Sequence, residues 1–336
     1  MLCPRDLTLQ ARSTRTDDRN PEATGPREPI QGEEDEALKL AVTGGAGFLG
    51  RHVVALGSAA GHTLRVLSRS PDEAARVVGE AAGLVTERFD LVRPAETLNA
   101  WREDPPDVLI HAAAVIEGTP EELNAANVEG MAALIAALAG LPRPPRVVLV
   151  SSFTTEDTPP TPYSDSKLAA ETLLRDSGLP HVILRPTLIY GPGDRGNAAG
   201  VAERMRAGTM WLPAGGRTTI QPVFVEDVAA ACLAAAERDD VLGRTYRLGG
   251  PEPVSVRAFR EALRDASGGL ARIRGIPLPL FALTARVAAL LGKRGPLGVL
   301  AFHRTTHEVD STDAARELGF APRSLAEGLA LTFPSG

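Results

Sequence analysis

The sequence predicts an α/β fold built on a doubly wound parallel sheet, with a smaller, less regular part in its C-terminal half. Three observations carry that prediction. From Leu38 onward, short runs rich in Val, Leu and Ile alternate with Ala-rich stretches of helical period. The first apolar run passes directly into a glycine-rich turn and a helix. The alternation stops after Tyr190, where a Gly-rich loop begins. Strand and helix in alternation build βαβ units with right-handed crossovers, and strands covered on both faces read as near-continuous apolar runs.

Taken in order, LKLAVTG (38–44), HTLRVLS (62–68), LVTERFD (84–90), DVLIHAA (107–113), RVVLVSS (146–152) and HVILRPT (181–187) each read as a buried strand. FLGRHVVALGSAA (48–60), NVEGMAALIAALAG (127–140) and SKLAAETLLRDSG (166–178) are the intervening helices. Beyond Tyr190, GPGDRGNAAG (191–200) reads as a loop, VEDVAAACLAAAE (225–237) as a helix and GRTYRLGG (243–250) as a strand. The expected division is therefore a sheet domain over 37–190, with 224–250 returning to it, and a substrate-binding part over 191–223 and 251–336. No repeat of fixed period is present.

The first 36 residues stand apart, with five Arg, no Lys, nine acids and four prolines. Such a segment buries too little apolar surface to offset its ordering entropy and is expected to be a disordered tail. It has neither the apolar core of a signal peptide nor the acid-poor composition of a transit peptide. The 336-residue chain is long enough for a sizeable core, and its 43% hydrophobic and 23% charged content is that of a globular protein. A net charge of −6 gives no basic field for nucleic acid. Two cysteines, Cys3 and Cys232, suit neither a disulfide framework nor a metal site and fit a cytoplasmic location. The apolar stretch IPLPLFALTARVAALLG (276–292) is broken by Pro277, Pro279 and Arg286. It falls short of the roughly 18–20 uninterrupted apolar residues of a membrane span and reads as either a packed or a lid-like helix. Peripheral membrane contact and a homodimer are both compatible with this composition.

The turn TGGAGFLGRHV (43–53) sets Gly44, Gly47 and Gly50 at three-residue spacing between a strand and a helix. Glycines there permit a tight turn and a close approach of backbone to a pyrophosphate, which then sits on the helix N-terminus beside Phe48 and Leu49. At the end of the second strand, about 20 residues on, an NAD site usually carries an acid for the ribose 2′-hydroxyl. Ser68 and Arg69 stand there instead. An arginine pairs with a 2′-phosphate and stacks on adenine, which favours NADP(H) over NAD(H); the alternative is that Arg69 is a solvated loop residue. Asp90 and Leu91 are placed to border the adenine, and Ala112, Ala113 and Ala114 to line the cofactor cleft.

Eleven residues after Ser152, at the end of the fifth strand, comes Tyr163, and four later Lys167. Positions i and i+4 share a helix face. Thr161 is a plausible N-cap and Pro162 suits the first turn, which sets the pair near the positive end of the helix dipole. A neighbouring ammonium, that dipole and a cationic nicotinamide are together expected to lower the phenol from its usual pKa near 10, so that it can trade a proton with a carbonyl oxygen held by Ser152. On its own the Tyr–Lys spacing is an ordinary helix face; behind a Ser-Ser strand end and a glycine turn it is a proton-transfer element.

With TGGAGFLG, HAAA (111–114), Asn127 in NVEG, Ser151–Ser152, YSDSK (163–167), LRPTLIYGPGD (184–194) and FVEDVA (224–229), the chain resembles the extended short-chain dehydrogenase/reductase superfamily, or NAD-dependent epimerase/dehydratase family, over about 38–330. The resemblance implies a Rossmann fold. It also implies Tyr163 as acid/base, Lys167 as the residue that orients it and binds the nicotinamide ribose, and Ser152, or Ser151, as the polarising hydroxyl. Pro186 falls in the LRP segment expected beside the cofactor, and Asn127 has a structural hydrogen-bonding role in the family.

Where nucleotide-sugar enzymes of this family carry a diphosphate-binding Arg, this chain has Ile220, with Arg217 three residues earlier; it also lacks a V-Y-G segment before Tyr163. The segments IQPVFVEDVA, GRTYRLGGPEPVSVRAF and GIPLPLFAL are instead similar to the atypical branch related to a complex I accessory subunit. The closing HEVDSTDAARELGFAPRSLAEGL resembles 3β-hydroxysteroid dehydrogenase-like enzymes. These resemblances imply an NAD(P)-dependent oxidoreductase interconverting a secondary alcohol and a ketone on an apolar small-molecule substrate. A nucleotide-sugar epimerase or dehydratase and a non-catalytic dinucleotide-binding subunit or redox sensor are the alternatives. His111 and Cys232 are expected to be packing residues.

Overall fold

The computed structural model describes residues 37–156, 160–194, 196, 198–290 and 307–334. The tail expected over 1–36 and the last two residues of the helix expected over 276–292 lie outside them.

The chain runs β1 (Lys39–Thr43), α1 (Phe48–Ala59), β2 (Thr63–Ser68), α2 (Pro71–Val78), β3 (Leu84–Arg88), α3 (Ala95–Leu98), β4 (Val108–His111), α4 (Pro120–Leu123), α5 (Gly130–Ala139), β5 (Arg146–Val150), α6 (Pro162–Asp176) and β6 (His181–Pro186). Then follow β7 (Ile189–Tyr190), α7 (Ala199–Arg204), β8 (Thr209–Pro213), β9 (Thr219–Ile220), β10 (Val223–Phe224), α8 (Val225–Glu237), β11 (Thr245–Leu248), β12 (Val254–Ser255), α9 (Val256–Ala266), β13 (Arg272–Ile276) and α10 (Leu278–Leu290). Two further helices, Thr312–Leu318 and Leu325–Thr332, close the described chain.

Seven strands form one parallel sheet in the order β3-β2-β1-β4-β5-β6-β11. Alternation of side chains sorts the strand residues into two cores. Leu40, Val42, Val108, Ile110, Val148, Val182 and Leu184 face α1 and α8. Their neighbours Ala41, Leu109, Val147, Leu149 and Ile183 face Met131, Leu134, Leu138, Ala170, Leu174 and Trp101 on the other side. Each fully buried Val, Leu or Ile contributes about 1.5–3 kcal/mol, so the central strands carry apolar side chains on both faces. Cys232 lies wholly buried on α8, where burial pushes its thiol up to about 12.

Two expectations need correcting. The third strand is not buried: β3 is the edge of the sheet, Val85 is half exposed, and Thr86, Glu87 and Arg88 are its partly solvated outer residues. An edge strand has one neighbour, and charges there block further pairing. The helix expected over 127–140 begins earlier, at Pro120, under a capping box between Thr119 and Glu122. It passes through a π-helical stretch, Asn124–Glu129, before α5. The wider turn carries Asn127 inside, where it is buried.

After β6 the chain builds three two-stranded sheets, β7–β10, β8–β13 and β9–β12, around a third core of Tyr190, Met205, Leu212, Phe224, Phe259 and Leu263. The rings of Phe224 and Phe259 meet Tyr190 edge to face at 5.8 and 5.9 Å. No described helix is long and apolar enough to cross a membrane. Because Phe259 is fully buried at the centre of this cluster, Phe259→Ala should cost about 3–5 kcal/mol of unfolding free energy. Urea denaturation should register it as a lower midpoint at unchanged slope.

Candidate active site

The strand order reverses between β1 and β4, so the loops leaving their carboxyl ends part and open a crevice. The glycine turn fills one side of it. Gly44 has φ +66°, and a Cβ there would lie 2.9 Å from the Ala113 backbone nitrogen. A Cβ on Gly50 would lie 2.1 Å from the Gly44 carbonyl oxygen. Only bare backbone fits, and the turn is closed by the Gly47 N–H donating to the Gly44 carbonyl at 2.8 Å. The N-cap of α1 is Gly47, without a side-chain hydrogen bond, so the first-turn N–H groups of Phe48 and Leu49 face outward with the helix dipole behind them. A dinucleotide pyrophosphate fits that cradle by shape and charge.

Across the crevice, Ala112 and Ala113 are half-buried and Ala114 is exposed. The Thr43 hydroxyl links the two sides: its oxygen accepts from the Ala113 N–H at 3.3 Å and lies 2.8 Å from His111 Nδ1. At the end of β2, Ser68 Oγ accepts from the Ser70 N–H at 3.2 Å, and the exposed Arg69 lies in the turn so formed. The Phe89 N–H donates to the Ser68 carbonyl at 2.8 Å, which brings the exposed Asp90 to the same edge. Asp90 Oδ1 accepts from the Val92 N–H at 3.0 Å. Leu91 packs against Gly130, where a Cβ would come within 2.8 Å of its side chain. Pro186 is buried at the end of β6, opposite Leu248.

The expected proton-transfer group lies beyond β5. Thr161 caps α6 as expected, in a reciprocal pair with Ser164. Tyr163 is half-buried in the first turn, with Ser152 beside its phenol. Ser152 Oγ also lies 2.9 Å from Thr154 Oγ1 and accepts from the Thr154 N–H at 3.2 Å. The buried Lys167 ammonium donates to the Val150 carbonyl at 2.9 Å. Ser151 is buried, and its hydroxyl has no hydrogen-bond partner among the described residues. Asn127 donates to the Val115 carbonyl at 2.8 Å and to Ser166 Oγ at 3.0 Å, and accepts from the Val115 N–H at 2.9 Å. It thereby ties the loop after β4 to α6.

The expected lowering of the phenol is not what the free chain has. Burial raises Tyr163 above its ordinary value, with the neighbouring Ser152 opposing it. Burial likewise pushes Lys167 down to about 8, with the charge of Glu171 working against that. Glu171 is a residue the sequence reading missed. It is fully buried one turn beyond Lys167, and Arg185 grips it through Nε at 2.9 Å and Nη2 at 2.6 Å, with Arg175 adding a bond at 2.8 Å. Arg185 also pairs with Glu156, and Glu156 with Arg247 at 2.9 Å. An acid inside the apolar face of α6 was the available signal. Ile220 is buried in the third core and Arg217 is exposed.

Residues 40–249 match the Epimerase family, described as the NAD dependent epimerase/dehydratase family. The chain belongs to it. Among its relatives is a 4-hydroxy-2-methyl-3-oxo-4-farnesyl-3,4-dihydroquinoline-1-oxide ketoreductase of Stigmatella aurantiaca, 31% identical over 85% of this chain and 92% of that one. The mitochondrial NADH dehydrogenase [ubiquinone] 1 alpha subcomplex subunit 9 of Arabidopsis thaliana is 27% identical over 76% of this chain and 63% of its own length. The fold is that of the UDP-glucuronic acid 4-epimerase of Bacillus cereus, solved with UDP-glucuronic acid and NAD, with a TM-score of 0.70 at 20% identity over 88% of this chain and 98% of that one.

His111 is fully enclosed beside Lys167, and burial first and then that charge push its imidazole down to about 3. The unfolded chain takes up this proton near pH 6.5 and the folded chain does not, so stability is lost as pH falls through that window. Between pH 7 and 5 the wild type should lose about 2 kcal/mol more than His111→Gln, at up to about 1.4 kcal/mol per pH unit. Urea melts at the two pH values decide it: equal losses in both proteins would contradict the neutral, buried imidazole.

Proposed function

We propose that this protein is an NAD(P)-dependent oxidoreductase that interconverts a secondary alcohol and a ketone, with Tyr163 as acid/base, Lys167 and Ser152 as its partners, and an apolar, lipid-like substrate. The observation that carries the reading is Ser152 just after β5, with Tyr163 and Lys167 on α6, at the same carboxyl end of the sheet as the glycine cradle. When bound, the nicotinamide supplies hydride to the carbonyl carbon or accepts it in reverse. The Tyr163 hydroxyl gives its proton to the carbonyl oxygen, while the Ser152 hydroxyl donates a hydrogen bond to that oxygen as charge develops. The phenolate left behind is stabilised by the Lys167 ammonium, fixed by the Val150 carbonyl. In reverse, the phenolate takes the alcohol proton. Burial that raises the phenol keeps it protonated near neutral pH, ready for the reductive direction.

In this reading Gly44, Gly47, Phe48, Leu49 and Gly50 cradle the pyrophosphate, Ser68 and Arg69 meet the adenosine ribose and Asp90 and Leu91 border the adenine. Ala112 to Ala114 and Pro186 flank the nicotinamide half. Arg69 makes NADP(H) the preferred cofactor. The C-terminal part, from the loop after β7 and from 251 onward, shapes the substrate site. The farnesyl-bearing substrate in the name of the Stigmatella aurantiaca ketoreductase supports an apolar substrate for this chain. The buried Ile220 at the place of a diphosphate-binding arginine counts against a nucleotide sugar. An epimerase or dehydratase on a nucleotide sugar keeps the same proton-transfer group and is the second reading, supported by the family's description. Tight calorimetric binding of a uridine or thymidine diphosphate would favour it. Kinship with the NADH dehydrogenase subunit supports a third, non-catalytic reading, against which the intact Ser-Tyr-Lys set stands.

Tyr163→Phe should reduce turnover at least 100-fold, the scale of general acid catalysis, while leaving dinucleotide affinity unchanged. Full activity in this variant would sink the assignment. For the cofactor, Arg69→Asp should weaken NADPH far more than NADH in titrations of dinucleotide fluorescence. Equal affinities for both in the wild type would contradict the preference.

A further inference from the structure

The small sheet of β8 and β13 has an inner and an outer face. Its parallel register sets Trp211 beside Arg274 and Thr209 beside Arg272. Alternation turns Met210, Leu212 and Ile273 toward the third core and leaves Trp211, Arg272 and Arg274 outside. Trp211 is 57% exposed, whereas the chain's other tryptophan, Trp101, is completely buried. Leu270, just before β13, is 81% exposed. The chain turns at Pro277 directly into α10, where Leu280 and Leu283, one turn apart, are 51% and 59% exposed.

Single exposed leucines are ordinary; three along the short run 270–283, set among arginines and following the strand that pairs with Trp211, are not. Residues 255–290 hold six Arg and two acids, a net +4 in a chain of net charge −6. Both acids are engaged, Glu261 by Arg257 and Asp265 by Arg264. The exposed Arg272, Arg274 and Arg286 have no carboxylate partner among the described residues.

We propose that this face docks on an anionic lipid bilayer, with Trp211, Leu280 and Leu283 entering the interface and Arg272, Arg274 and Arg286 meeting the lipid phosphates. Charge complementarity selects the occupant. A bilayer of anionic lipid offers an apolar layer beneath a negative surface, which is the pairing that tryptophan, leucine and long arginine side chains satisfy together. A second copy of the chain would set one arginine row against another across a two-fold axis. Nucleic acid would leave Leu280 and Leu283 with nothing to contact. The proposal does not depend on the proton-transfer assignment, since none of these residues belongs to the glycine cradle or to the Ser152, Tyr163 and Lys167 group.

The test uses the full chain and vesicles of phosphatidylcholine alone or mixed with phosphatidylglycerol. The wild type should pellet with the mixed vesicles, weakly or not at all with the neutral ones, and less as salt rises. Its fluorescence should shift to the blue on binding, and Trp211→Phe should abolish the shift, because the remaining Trp101 is sealed in the core. Arg272→Glu with Arg274→Glu should weaken partitioning by about 30-fold or more, taking about 1 kcal/mol for each arginine at the surface. Arg272→Lys with Arg274→Lys should retain it, which separates charge from misfolding. No pelleting, equal binding to both vesicle types, or a Trp211 signal unchanged by lipid would overturn the proposal. So would a wild-type dimer that the charge reversal dissociates, which would assign the face to a second copy.

Discussion

How closely backbone can approach backbone at the end of β1 decides what the rest of this molecule can do. Gly44 has the chain of α1 against its carbonyl, at Gly50, and the loop after β4 against its Cα, at Ala113. A methyl group at either glycine position would drive the helix or the loop away. With them bare, α1 starts immediately at the sheet edge, and its N-terminus points into the gap opened by the reversal of strand order. The second half of the site is referred to the same place. Thr43, the last residue of β1, holds Ala113 and His111. The loop after Ala113 is clamped by Asn127, and Asn127 is bonded to Ser166 beside Lys167.

The charged layer around α6 shows a different economy. Lys167, Glu171 and Arg175 run along α6 beside Arg185 of β6, and burying any one alone would be costly. The structure resolves this by chaining them: Glu171 is gripped by two arginines, Arg185 is shared with Glu156, and Glu156 also holds Arg247 on β11. Lys167 is left outside the chain of direct pairs, with a carbonyl for a partner. Burial is what makes its proton labile compared with an ordinary lysine, and it sits one helical turn from the Tyr163 phenol.

What the sequence discloses follows from how local the cause is. Alternation of apolar runs and Ala-rich helices is a local signal, so the strands β1 to β6 and their parallel arrangement were legible, as was the cap on α6 through Thr161 and Pro162. The glycine turn was legible because spacing and context lie within a dozen residues. The edge position of β3 was not, because Leu84 and Val85 look like core until the sheet order is known. The direction of the Tyr163 shift in the free chain was hidden for a related reason: sequence does not show the burial that outweighs the lowering by Ser152. Glu171 was missed because the partner that grips it twice, Arg185, comes from β6. The exposure of Trp211 depends on which face β13 leaves bare, a matter of tertiary packing that no window of sequence contains.

The strand order carries a consequence for how the chain is made. β1 is synthesised first and ends near the middle of the sheet, and every later strand adds to an edge that is already open: β2 and β3 on one side, then β4, β5, β6 and β11 on the other. No strand has to be threaded between two paired ones, so the sheet can grow outward as the polypeptide leaves the ribosome. The covering layer cannot keep pace. α1 packs against α8, which begins only at Val225. At about 5–20 residues per second, roughly 10–30 s pass before the apolar face of α1, with Val53 and Val54, meets its partner. Nascent chains of this protein therefore present a bare, half-clothed sheet for much of their synthesis, and it is in that interval, rather than in the finished fold, that they are most exposed to chaperones and to aggregation.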